Sequence, residues 1–281
     1  MENSLKRTVL ALVAVVCLFT LAAFADGPDN NTANTAVEPV KPSETQSQTP
    51  PDSGHVGVGV HVGLNGIGFE TATRLTHKSN LRGGLDFLPG FKPHFTTDSG
   101  IAFDGKVGLK TMKVQYDFFP RAGGFHISPG LLVSMSDNLL TATAHSTAGE
   151  SFDVGNNSYI SDPSHPVKGS MKVSFGHRVA PMFTVGFGNL VSRKEGKHFT
   201  VPFEAGLAFT GAPKSVWSYS GNVCTTTGYD PVTFAPITSC GPASGNQQFK
   251  VDVLTEQNKF NHSASSFKVY PIVSIGLGYK F

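Results

Sequence analysis

Residues 56–75 read VGVGVHVGLNGIGFETATRL, with a period of two. Val56, Val58, Val60, Val62 and Leu64 alternate with Gly57, Gly59, His61 and Gly63, the pattern of a strand with one apolar face and one small or polar face. Asn65-Gly66 follows, the dipeptide best suited to a two-residue hairpin, whose central positions require positive φ. The return strand sets Ile67, Phe69, Thr71, Thr73 and Leu75 against Gly68, Glu70, Ala72 and Arg74. Because these glycines alternate with valines and no helix follows, they are small inward residues of a strand and not a phosphate cradle.

Toward the C-terminus the same period recurs at 81–88, 105–119, 125–136, 171–190, 198–210 and 269–281, which predicts eight strands in all. Val107 and Leu109 are out of phase with Met112, Val114, Tyr116 and Phe118, so a bulge is expected near Lys110 and Thr111. After the first hairpin, short connections (76–80, 120–124, 191–197) alternate with long ones (about 89–104, 137–170, 211–268). A transmembrane β-barrel shows this asymmetry, with short periplasmic turns and long extracellular loops. A soluble sandwich has no reason to gather its long loops at one end. The outer face would carry Val173, Phe175, Val179, Phe183, Val185 and Phe187, then Phe199, Val201, Phe203, Ala205, Leu207 and Phe209, then Val273, Ile275, Leu277, Tyr279 and Phe281. Almost no charge falls on that face, as lipid contact requires, although a sandwich strand would alternate too.

Toward the N-terminus, residues 26–54 are rich in Pro, Thr, Ser, Asn and Gln and read as a disordered periplasmic linker, a plain spacer in preference to a segment that binds a partner. Before it, Lys6 and Arg7 precede an uncharged run from Thr8 to Ala25 that closes on Ala23-Phe24-Ala25. This is the order of a secretory signal peptide cleaved near Ala25; the alternative, a single membrane anchor, fits the small-x-small ending less well. Cys17 follows Val16, where a lipoprotein signal wants a small residue.

Composition narrows the function. Only 15% of the 281 residues are charged, against about 25% in soluble chains, while glycine (31) and phenylalanine (22) are frequent. The net charge of +2 gives no basic excess for nucleic acid. Cys224 and Cys240, in an exported chain, are expected to form a disulfide that braces a loop. A metal site there lacks ligands, because no histidine or further cysteine lies between them.

The terminal stretch VSIGLGYKF (273–281) alternates apolar residues and ends on Tyr279-Lys280-Phe281. With the signal peptide and the eight strands, residues 55–281 resemble the small eight-stranded Gram-negative outer-membrane barrel superfamily, of the OmpA-like or OmpW-like kind. The resemblance implies a bacterial outer-membrane location. It also implies a C-terminal targeting strand, with Leu277, Tyr279 and Phe281 outward, that the insertion machinery would recognise. It carries no subfamily motif and hence no functional residue.

Eight strands enclose a lumen that side chains fill, which disfavours a general porin. The strand phases point His61, Glu70, Arg74, Arg82, Asp86, Lys113, Asp117, His126, Arg178, Glu204 and Lys280 inward. Because an unpaired buried charge costs several kcal/mol, an interior ion-pair network is expected in preference to a polar conduit. No motif ties His94, His145, His165 or His177 to a serine or carboxylate, so no catalytic residue, metal or cofactor is assigned. The 211–268 connection holds Trp217, Tyr219, Tyr229, Phe234, the cysteine pair and DVLTEQNKF, which suits a short helix. It is a recognition element for an unidentified ligand or a cap over the mouth. The leading expectation is a non-enzymatic barrel with a structural or surface-interaction role. A barrel that binds or passes small apolar molecules and a lipid-modifying enzyme are the alternatives.

Overall fold

The computed structural model describes residues 55–96, 101–121, 123–192, 196–233 and 236–281. The signal peptide, the 26–54 linker and Phe234 lie outside them. In chain order the strands are β1 (Val56–Gly63), β2 (Gly66–Thr76), β3 (Ser79–Phe91), β4 (His94–Thr96), β5 (Ile101–Phe118), β6 (Phe125–Ser134), β7 (Leu140–Ser146), β8 (Ser151–Val154) and β9 (Asn157–Ser161). They continue as β10 (Lys168–Ser174), β11 (Val179–Phe187), β12 (Phe199–Thr200), β13 (Phe203–Ala208), β14 (Lys214–Ser220), β15 (Asn222–Tyr229) and β16 (Pro236–Pro242). Helix α1 (Gln247–Ala264) precedes the last strand, β17 (Tyr270–Lys280).

The antiparallel pairings run β1–β2, β2–β3, β3–β5, β5–β6, β6–β11, β11–β13, β13–β17 and then β17–β1, so they return to their start. Each long stretch of two-residue period in the sequence contributes one member of this ring. The first hairpin turns at Asn65-Gly66, where Gly66 has φ of +98° and an added Cβ would lie 2.2 Å from the Phe87 carbonyl oxygen. Glycine is therefore required there by both backbone and space.

Sides alternate strictly along the ring strands. On β5 Leu109, Thr111, Lys113, Gln115 and Asp117 are buried, while Lys110, Met112, Val114, Tyr116 and Phe118 are exposed. The register from Ser79↔Phe118 to Leu88↔Leu109 is unbroken, so the expected bulge at Lys110 and Thr111 is absent. The irregularity lies on β3 instead, between Leu88 and Phe91, at Pro89-Gly90, where proline has no N–H for the ladder. Val107 and Leu109 broke the phase because Leu109 is an apolar residue that faces in.

The expected strand 171–190 is two strands. β10 ends at Ser174, the chain bends through Phe175–Arg178, and β11 begins at Val179. Val173 is accordingly not on the outer face: it is buried, paired with Leu140 and Ser215, and Phe175 packs edge-on against Tyr270. The long connections are largely strand. β4 pairs with the first part of β5 and β7 pairs alongside it; β10 and β14 extend that sheet, and β16–β15–β9–β8 form a second. α1, longer than the 252–260 stretch suggested, starts at Asn246, whose side chain accepts the Phe249 N–H, and packs against β8 and β14. Phe152, Tyr159, Val167, Val223, Ala243, Phe249 and Val253 form the core of this cap, with Trp217 and Tyr219 against it. Cys224 and Cys240 face each other on β15 and β16 and are disulfide-bonded.

Candidate functional site

The inward side chains of the ring are stacked in layers along its axis. At the end that carries the long connections, Leu132, Ala180, Met182, Ala208 and Ile272 form an apolar plug. Next come His61, Asp86, Lys113 and Thr111. His61 Nε2 lies 2.5 Å from Asp86 Oδ1, Lys113 Nζ is 3.3 Å from the same oxygen, and the Thr111 hydroxyl donates to Asp86 Oδ2 at 3.1 Å.

The middle layer is organised by Arg82. Its guanidinium donates to Glu70 at 3.1 Å, to Asp117 at 3.0 Å and to Glu204 at 2.7 Å, three carboxylates on β2, β5 and β13. Uncharged groups complete these acceptors. Ser128 donates to Asp117 at 2.6 Å, Gln115 donates to Glu204 at 2.5 Å, and Thr184 also donates to Glu204. Arg82, Glu70, Asp86, Asp117, Glu204 and Lys113 are all at most 6% exposed. One guanidinium holds five N–H donors in a rigid planar fork, against three on a compact lysine ammonium, and so reaches carboxylates on three different strands.

At the short-turn end Asn80 donates to Asn189 at 2.8 Å, and Leu190 and Val191 cluster with Ala72 to form a second apolar plug. The 188–192 segment is thus tucked into the end of the ring. The glycines of β1 make its seat: a Cβ on Gly57 would lie 2.3 Å from the Leu190 carbonyl oxygen. Lys280 donates to the Ser192 carbonyl at 2.9 Å and so ties β17 to the tucked segment.

The expected inward residues therefore divide. Glu70, Arg82, Asp86, Lys113, Asp117, Glu204 and His61 meet in the two polar layers. Lys280 lies at the tucked turn, His126 is buried against the Phe119 ring, and Arg74 is half-buried. Arg178 is a correction: it lies on the bend before β11, its side chain is 70% exposed, and it faces Asp137 at 3.6 Å. Sequence reasoning passed over the uncharged members Asn80, Thr111, Gln115, Ser128, Thr184 and Asn189. All but Asn189 share the inward phase of the charged residues, and that phase was the signal available. His94, expected to be single, has Nδ1 2.7 Å from Asp104 across the β4–β5 pair, with both side chains exposed. No serine hydroxyl bonds that imidazole among the described residues, nor do three metal-ligating side chains cluster there.

The outward positions have the opposite chemistry. Val58, Phe69, Leu85, Val114, Leu131, Phe183, Leu207 and Leu277 are all exposed, and Phe69 reaches 67%. No charged residue occupies an outward position over 56–62, 67–75, 81–87, 112–118, 125–133, 179–187, 203–207 or 271–279. Aromatic pairs gather at the short-turn end, Phe125 with Phe187 and Tyr279 with Phe199 and Phe281.

In the cap, Asp252 accepts from Tyr159 at 2.5 Å, Asn157 at 2.8 Å and Gln248 at 3.1 Å. Burial alone would raise its carboxyl, but these donors hold it below the usual carboxylate range, and burial with the same carboxylate pushes the Tyr159 phenol up.

No protein-family model and no curated protein matches the chain. Among solved structures it is similar to Acinetobacter baumannii CarO, with 20% identity over 80% of this chain and 97% of that one at a TM-score of 0.43. It is also similar to Acinetobacter baumannii CarO2, with 16% identity over 80% of this chain and 98% of that one at a TM-score of 0.45.

Proposed function

We propose that the chain is an eight-stranded, up-and-down outer-membrane β-barrel whose lumen is closed and whose long connections form an extracellular cap. Its role is structural and surface-interacting, without catalysis. The observation that carries this reading is the reversed polarity of the ring, whose charges are paired inside while its uncharged apolar face is bare. A soluble sandwich buries that face between its sheets. Here apolar side chains are exposed on all eight strands of the ring, a band of the kind that soluble monomers rarely carry. Lipid supplies the missing cover, and closing the ring removes the open sheet edges that hydrocarbon would leave unsatisfied, apart from the short stretch at β12. Strands of nine to eleven residues, such as β2, β11 and β17, match a tilted crossing.

In this reading the short turns face the periplasm. Leu277, Tyr279 and Phe281, all exposed along or beside β17, are what the insertion machinery would meet. The cap is the surface for an external ligand, and nucleic acid has no place in the account. The closed lumen is tested by single-channel recording of the purified protein in planar bilayers. The reading predicts no stable conductance steps above the lipid background, and steady open steps would overturn it.

A further inference from the structure

The wall of the ring has a notch. β13 pairs with both β11 and β17, but among the described residues β12, two residues before it in the same wall, pairs with β17 alone. The β11 ladder stops at Phe187↔Phe203, and Val201-Pro202 separates β12 from β13. Gly188, with φ of +107°, leads the chain away from β12 and into the tucked turn. Beside the free edge of β12 lies a hollow of about 450 Å³ lined by Gly124, Gly188, Lys197, Phe199, Val201 and Leu277. A second of about 360 Å³ shares Lys197 and Phe199 and extends to His198 and Tyr279.

The chemistry of the notch is divided. Phe199, Val201 and Leu277 are apolar, more than half exposed, and face outward. Lys197 is exposed and brings a positive charge to their edge, at the level of the aromatic cluster on the short-turn end. In lipid, the edge of β12 that no described residue ladders also needs a polar cover, because backbone groups left without hydrogen bonds in hydrocarbon are strongly disfavoured. An occupant must join an acyl chain, an anionic head and hydrogen-bonding oxygens in one molecule.

We infer that this notch is a seat for an anionic phospholipid of the leaflet at the short-turn end, with its acyl chain on Phe199, Val201 and Leu277 and its phosphate toward Lys197. The inference rests on the membrane-spanning reading above. One lysine near an anionic head should favour the charged lipid by about fivefold.

The test uses the full mature chain folded into vesicles, with Trp217→Phe as background and Phe199→Trp as reporter. Quenching is compared between brominated phosphatidylglycerol and brominated phosphatidylcholine. Leu81→Trp, outward at the same end of the opposite wall, is the reference position. Stronger quenching by phosphatidylglycerol at the notch only, lost on adding Lys197→Ala, supports the inference. Equal selectivity at both positions, or a preference that survives Lys197→Ala, overturns it while leaving the barrel intact. Quenching at neither position by either lipid overturns the barrel reading and the inference with it.

Discussion

Arg82 bridges three strands from the centre of the enclosed face, so its removal leaves Glu70, Asp117 and Glu204 without their shared cation. Breaking a buried pair on one side costs about 3–5 kcal/mol. Arg82→Met should therefore lower unfolding stability by about that much, read by urea titration of the protein in vesicles. Arg82→Met combined with Glu204→Gln should recover part of the loss, because it removes one stranded charge. These inward charges were legible in the sequence because β2, β3, β5 and β13 keep a period of two. Leu109, Leu132 and Met182 were not, because polar-in, apolar-out alternation assigns no place to an apolar plug, and Arg178 was misplaced because no phase carries through a bend.

The elements fall into two kinds. Ring strands are long and alternate, and their faces could be read one residue at a time. The strands of the cap are short, and β7, β14 and β15 take partners from other segments, so no local period announced them. The glycines of β1 were legible as small inward residues, but the reason for Gly57, the Leu190 carbonyl seated above it, required the tucked turn. At the cap the pH dependence follows from Asp252. Its folded carboxyl is depressed, so its contribution is present above the unfolded value near 3.9 and fades as pH falls through the lower folded value. Cap stability, followed by Trp217 fluorescence in denaturant, should hold from neutral pH to about 5 and decline below about 4. Asp252→Asn should shrink that decline and cost about 1–3 kcal/mol at neutral pH, because Tyr159 and Asn157 lose their charged acceptor.

For the whole molecule, the arrangement is a ring of eight paired strands with an apolar cluster toward each end of its interior and a disulfide-braced unit built from the long connections. The proposed membrane-spanning, closed-lumen reading rests on the apolar exterior and the filled interior together. The all-β, antiparallel character of the chain and most of the outward face were readable in advance because both depend on local alternation. The cap and the notch depend on contacts between distant segments and were not. The most direct test is membrane fractionation joined to gel migration of the same material with and without boiling in SDS. Recovery in the outer-membrane fraction, with a compact species that shifts only on boiling, is the predicted result. Recovery in the soluble periplasm with no shift would contradict the account.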